Sequence, residues 1–339
     1  MARVILLLAL VFALALAWLR FTPPSTTAYV NGLVLTMDAE SHVHQAVLVR
    51  GDRIAAVGTS AEIGAASPSA RIVDLGGHVV LPGFIDAHGH FPGAGLDAVV
   101  VDLASPPVGS IRRIDELLAA LRTEAEQTSE GDWVQGFGYD DTLLAEKRHP
   151  TREELDHVSA KHPIWILHVS GHLGVANTPA LAAAGIGRET RDPAGGVIRR
   201  DPRTGEPTGV LEESARWKLQ AAVPEFSLLE SIRILRRGAE RYLASGVTTA
   251  QQGLGEKAHI DVLARLSWLG FVPLRLVVWP KREVADEIAA ATYAPARWSG
   301  PSFRVGAVKL VADGSIQGYT AYLTRPYLTP RAGESAWRG

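Results

Sequence analysis

Two histidines one residue apart, His88 and His90, are the pair whose type and spacing most plainly allow metal chemistry. Side chains at i and i+2 of an extended chain project to the same side, so both imidazoles can meet on one ion. The pair follows an apolar run, Val79 to Ile85, and stands beside Ala87 and Gly89, small residues that leave room for a ligand. In an α/β barrel the carboxyl ends of strands carry the active site, and a pair at this point would fall at such an end. The chain has no cysteine. Disulfides, thiolate ligands and a cysteine nucleophile are therefore excluded, and a metal must rely on His, carboxylate or a modified side chain. A second such pair, His42 and His44, follows the polar stretch Asp38-Ala39-Glu40-Ser41 and reads as an ordinary loop.

Lys309 is the next residue of interest, because Val308, Leu310 and Val311 flank it as in an interior barrel strand. Burial there lowers a lysine pKa and makes a neutral, nucleophilic amine available. His172, in a Gly-rich segment ahead of a helix, is a candidate for substrate binding against a structural role at the helix entry. Asp313, four residues beyond Lys309, is a similar candidate. Trp133, Tyr139 and Asp140 can line a pocket, although aromatic packing accounts for the first two. His168 ends the apolar run Ile164 to Leu167 and reads as a core histidine.

The elements that must position these residues change character along the chain. Tyr29 to Leu35 reads as a strand, and Ala46–Arg50 and Arg53–Gly58 as a hairpin turning at Gly51-Asp52. Two short strands, Ile72 to Leu75 and His78 to Leu81, complete a small all-β unit over residues 28–82. From Pro82-Gly83 onward, amphipathic helices alternate with short apolar strands, the pattern of a parallel α/β architecture. Ile114, Leu117, Leu118 and Leu121 fall at helical spacing, Thr151 and Glu154 form a capping box, and Thr178-Pro179 opens a helix that Gly185 ends. Leu228, Ile232, Leu235 and Ala239 stripe a longer helix, stopped at Gly246 before the strand Val247 to Ala250. Leu274 to Val278 and Val305 to Val311 read as further strands.

The stretch Leu81-Pro82-Gly83-Phe84-Ile85-Asp86-Ala87-His88-Gly89-His90 resembles the first-strand signature of the amidohydrolase superfamily. Gly171 to Asn177, Gly246 to Thr249 and Val308 to Ser315 look like the branch that includes N-substituted formamide deformylases, and the resemblance runs from about residue 28 to the end. It implies half of a small β-sandwich domain followed by part of a (β/α)8 barrel, with residues 83–339 as the first part of that barrel. It implies His88 and His90 as ligands of a divalent metal, and Lys309 as a lysine carboxylated to a carbamate that bridges two ions. A metal-activated hydroxide would then hydrolyse carbon–nitrogen bonds of small amides. Zinc is the default, with iron, manganese or cobalt compatible with the same ligands, and the count is one ion or two. The resemblance also calls for two more histidines and a general-base aspartate from later strands, expected beyond Gly339. With roughly four or five strands against the eight of a closed barrel, the expectation is a truncated chain, inactive alone.

Of 339 residues, 47% are hydrophobic and 21% charged, which suits a globular core. A net charge of -2 gives no reason to expect a nucleic-acid surface. The expected partner is a small amide-type molecule, with homodimerisation open. Met1-Ala2-Arg3 leads into an apolar run over residues 4–19 before Pro23-Pro24. Residues 1–27 therefore read as a signal peptide or a membrane anchor, and the protein as exported to the periplasm or outside, or membrane-tethered. A non-catalytic, membrane-anchored binding protein derived from an amidohydrolase is the competing reading.

Overall fold

The computed structural model describes residues 25–295, 299–328 and 336–338. The apolar run over residues 4–19 lies outside them, and among the described residues no helix is long and apolar enough to cross a membrane. The chain divides into two compact units, residues 1–84 and 85–339.

In the first unit, the expected strand Tyr29 to Leu35 is two strands, β1 (Thr26–Val30) and β2 (Leu33–Leu35). Asn31 between them takes φ 57°, and a Cβ on Gly32 would lie 2.4 Å from the Leu75 side chain, so the chain must kink there. The remaining strands are β3 (Val43–His44), β4 (Ala46–Arg50), β5 (Arg53–Gly58), β6 (Arg71–Asp74) and β7 (Val79–Val80). They form two sheets, in the orders β5-β4-β1-β6 and β3-β2-β7. The β4–β5 hairpin pairs antiparallel, as its turn residues require. The unit is not all-β: a helix, Ser60–Ala66, is closed by a capping box between Thr59 and Glu62. Only Ile63 of that helix is buried, so no apolar period marks it in the sequence.

The second unit opens with β8 (Phe84–Ile85) and continues through β9 (Val101–Asp102), β10 (Val134–Tyr139), β11 (Ile164–His168), β12 (Leu173–Ala176), β13 (Gly196–Arg200) and β14 (Pro207–Glu213). Strands β9, β10 and β11 are parallel neighbours, but β11-β12-β14-β13 are antiparallel. The reason is connection length. Residues 169–172 cannot carry a crossover between β11 and β12, since parallel neighbours need a dozen residues or more. The second sheet, ordered β17-β16-β15-β8, contains β15 (Val247–Gly255), β16 (Arg275–Pro280) and β17 (Phe303–Val305), with β15, β16 and β17 parallel. Helix Lys257–Trp268 spans the β15 to β16 crossover and buries Ile260, Leu263 and Ala264 in the core of that sheet. Helix Ile114–Ala125 buries Leu117 and Leu121 beneath β10 in a second core.

The strand expected over Val305 to Val311 is displaced. It runs Phe303–Val305 only, at the edge of its sheet. Val308, Leu310 and Val311 are exposed and Lys309 is half-buried, so the apolar flanks do not enclose the amine. No strand covers this edge among the described residues.

Directly after His90 the chain passes through cis Phe91-Pro92 into a 3-10 turn, Gly93–Ala98, laid across helix Leu228–Ala244. A Cβ on Gly95 would stand 2.0 Å from the Ile234 carbonyl oxygen and 2.5 Å from the Gly238 nitrogen, both backbone atoms that cannot yield. Gly95→Ala is expected to lower stability by about 1–3 kcal/mol or more. Gly93→Ala, with nothing within 4 Å of its Cβ, should leave stability at or slightly above that of the unaltered protein. Urea midpoints of the two variants check this, and equal midpoints would refute the close approach.

Candidate functional site

His88 and His90 are set by pairing of their backbone against β15. Asp86 N–H donates to the Thr249 carbonyl at 2.8 Å, Phe91 N–H to Gln251 at 2.9 Å, and Gly253 N–H back to Gly89 at 2.8 Å. The Asp86 carboxylate fixes the turn from inside: Oδ1 accepts from His88 N–H at 3.2 Å, and Oδ2 from the Tyr242 hydroxyl at 3.2 Å and Gln251 N–H at 3.4 Å. A Cβ on Gly89 would lie 2.1 Å from Asp86 Oδ2 and 2.7 Å from the Tyr242 hydroxyl, so a side chain there would push both groups out of the bonds they make.

The rings of His88 and His90 stand 5.6 Å apart, and Trp279 stacks on His88 at 5.6 Å and 21°. Lys309, in the segment after β17, lies beside the end of β16, its N–H bonded to the Pro280 carbonyl at 2.9 Å, and its Nζ lies 3.5 Å from His88 Nε2. A Cβ at Gly253 would come within 3.0 Å of the same Nε2, so the absence of a side chain there keeps the space open. Desolvation holds the His90 pKa down, reinforced by the neighbouring His88 and Lys309 charges and opposed by Gln252 and Asp86. Its ring reaches solvent, but the surrounding protein atoms are numerous enough for desolvation to prevail. Two imidazoles and an amine around a gap no side chain fills, with His90 discouraged from protonation, fit the needs of a divalent metal, which binds unprotonated ligands.

His172 belongs to a second cluster. Its Nδ1 is 3.0 Å from both carboxylate oxygens of Glu213, and the Thr320 hydroxyl donates to the same carboxylate. Burial works to raise the Glu213 pKa, but the bonds from His172 and Thr320 outweigh it and hold the carboxyl below its usual range. Glu213 ends β14 at φ 48°, ψ −122°, a conformation that strains any residue with a Cβ by about 1–3 kcal/mol. Sequence reasoning found His172 and missed Glu213, because Glu212-Glu213-Ser214 carries no pattern that separates its two carboxylates.

Asp313 is not brought to either cluster by a hydrogen bond among the described residues; its Oδ2 accepts from Tyr322 N–H at 3.0 Å and shapes its own loop. That loop is tied down twice, by Thr320 on Glu213 and by Gln317, whose Nε2 donates to Asp140 Oδ2 at 2.7 Å. Asp140 is buried and also accepts from Thr142 at 2.9 Å and 2.6 Å. A cavity of about 580 Å³ opens beside it, lined by Asp97, Ser105, Phe137 and Arg241 among others, but not by His88, His90, Lys309 or His172.

Asp140, Asp141 and the fully buried His168 bring three ligand-type atoms within 4.8 Å of one another. Ser170 N–H donates to His168 Nδ1 at 3.1 Å, which leaves the ring proton on Nε2, facing Asp141 Oδ1 at 3.1 Å. No aligned hydrogen bond joins them, so the contact is a close approach of ring and carboxylate. A nitrogen that keeps its proton is a poor metal ligand. Tyr139 and Trp133 are packing residues, Tyr139 fully buried edge-on to His168 and Trp133 against a core cluster. His42 is exposed and paired with Asp38 at 2.8 Å in a surface loop.

A model of the amidohydrolase family matches residues 71–338, and one of an imidazolonepropionase-like composite domain of bacteria matches residues 46–70. The N-substituted formamide deformylase of Arthrobacter pascens is 37% identical over 252 residues, 73% of this chain and 46% of that protein. Protein LONG AFTER FAR-RED 3 of Arabidopsis thaliana is 31% identical over 326 residues, 91% of this chain and 54% of that protein. The chain thus spans about half the length of these curated relatives. An uncharacterized metal-dependent hydrolase from Pyrococcus horikoshii has a similar fold, with a TM-score of 0.66 at 24% identity over 92% of this chain and 59% of that one.

The depressed Glu213 pKa has a sign that can be tested. A carboxyl whose folded pKa lies below its unfolded value of about 4.5 stabilises the fold above that pH, and the contribution disappears as pH falls through the folded value. The stability difference between the unaltered protein and Glu213→Gln, from urea midpoints, should shrink as pH falls below about 4.5. A difference that grows below that pH would contradict it.

Proposed function

The chain belongs to the amidohydrolase family, and from that premise we propose a metal-dependent hydrolase of carbon–nitrogen bonds in small amides, with His88, His90 and Lys309 as metal ligands. The observation that carries this is the convergence of Lys309 Nζ on His88 Nε2, with His90 alongside and Gly253 leaving the gap open. The name of the Arthrobacter pascens relative supports an amide-type substrate. The three parallel strands that end near these residues suit the first part of a (β/α)8 barrel, and the unit before them suits part of a β-sandwich domain.

A divalent ion held by this set, zinc by its fit to imidazole or else iron, manganese or cobalt, supplies Lewis acidity that polarises the scissile carbonyl and acidifies water. The protein's own part is orientation. Asp86 and Trp279 fix the backbone and ring of His88, and the lowered pKa of His90 keeps its ring neutral at pH 7. Lys309, half in solvent, would be open to carbon dioxide: attack by the unprotonated amine would form the N–C bond, a proton would pass to water, and the carbamate would add an anionic oxygen donor to the set that would hold the metal. The apolar run over residues 4–19 supports export or a membrane tether.

Metal analysis tests the site. The purified protein should hold one or two zinc ions, His88→Asn and His90→Asn should each weaken binding about 100-fold or abolish it, and Gly253→Ala should weaken it about 10-fold. Lys309→Met should lower the count by one if the carbamate bridges. Hydrolysis is followed by release of amine from an N-substituted formamide. No bound metal, or binding indifferent to these variants, would overturn the proposal.

A further inference from the structure

The bonds around His172 decide which nitrogen of its ring faces outward. Nδ1 meets both oxygens of the Glu213 carboxylate at 3.0 Å. A carboxylate held ionised can only accept, so Nδ1 carries a proton and the neutral tautomer of the ring is the one with its lone pair on Nε2. Nε2 has no hydrogen-bond partner among the described residues, and the side chain is 34% exposed. Two features show that this orientation is built. Glu213 reaches Nδ1 from a left-handed backbone position that disfavours any side chain, and Glu213 N–H is itself bonded to the His172 carbonyl at 2.8 Å. Thr320, from the loop that follows Lys309, locks the carboxylate from the other side. The carboxylate that orients His172 is therefore tied to the loop that continues from the metal-site lysine.

We propose that His172 is a substrate-recognition residue and Glu213 the residue that positions it: the Nε2 lone pair accepts a hydrogen bond from the N–H of a secondary amide. This rests on the amide-hydrolase reading above and narrows its substrate class. Amides that keep one hydrogen on nitrogen are taken, and N,N-disubstituted amides are disfavoured, because a methyl group in place of the hydrogen leaves the acceptor unpaired and crowds the ring.

The test uses the zinc-loaded protein with N-cyclohexylformamide and its N-methyl analogue, their affinities measured by calorimetry. The unaltered protein should bind the secondary amide about tenfold more tightly or better. Glu213→Gln and His172→Phe should bring the ratio to within about twofold by weakening the secondary amide alone. A nitrogen-15 NMR spectrum of the metal-free protein, assigned with His172→Phe, should show the proton of the neutral ring on Nδ1, and the affinity ratio is the readout that a merely structural pair would not move. A proton on Nε2, or a ratio that Glu213→Gln does not move, overturns the proposal. Zinc binding with equal affinity for the two amides removes the role of His172 and leaves the hydrolase reading standing, whereas failure to bind zinc and either amide removes both.

Discussion

The Asp86 carboxylate is the joint on which the His-x-His geometry depends. Its two oxygens collect donors from three places in the chain: His88 in the turn, Gln251 in β15 and Tyr242 in helix Leu228–Ala244. The bonds are long, and each is worth little alone. Together they hold the turn, and a side chain at Gly89 would disturb both the carboxylate and the Tyr242 hydroxyl. Burial, with the adjacent Asp86 charge, pushes the Tyr242 phenol up to about 12, so it remains a donor throughout the range in which the protein would work. Edge-on packing of Phe91 against Tyr242 at 5.6 Å closes the same joint from its apolar side.

How much of this the sequence carried depended on the range of the interaction. The nearness of His88 and His90 was legible because residues two apart stay close whatever the local backbone, although the segment is a turn held by Asp86 and not the extended strand that the spacing suggested. The helices at Ile114–Ala125 and Leu228–Ala244 were legible for the same reason, their apolar period being written within one segment. Glu213, Gln317 and Thr320 were not, since each acquires its meaning from a partner 41, 177 or 107 residues away. Lys309 stands between these cases. Its apolar flanks promised an enclosed strand, yet the residues that would enclose it are not in the segments that pair with β17. The Asn177 that ends the Gly-rich motif is structural: its Oδ1 accepts from Ile164 and Ala180 N–H groups, and its amide donates to Ser159 and His162, so every part of a buried polar side chain is satisfied.

The two polar clusters of the second unit divide the work by their degree of enclosure. Around His168, burial outweighs access: Tyr139 is raised well above its ordinary pKa by burial and by the Asp141 charge, while His168 and His149 hold Asp141 down against burial. Such a network anchors the loop at Gln317 and specifies how the sheet ends meet. Around His172 the same residue types stand half in solvent, where a side chain can meet something that arrives.

The backbone at Glu213 also bears on how the sequence can drift. Glycine would relax φ 48° and leave the end of β14 more comfortable than glutamate does. Glutamate at this position therefore sets backbone strain against the bonds its carboxylate makes to His172 and Thr320, and an exchange to glycine would relieve the first at the expense of the second, leaving His172 free to tautomerise.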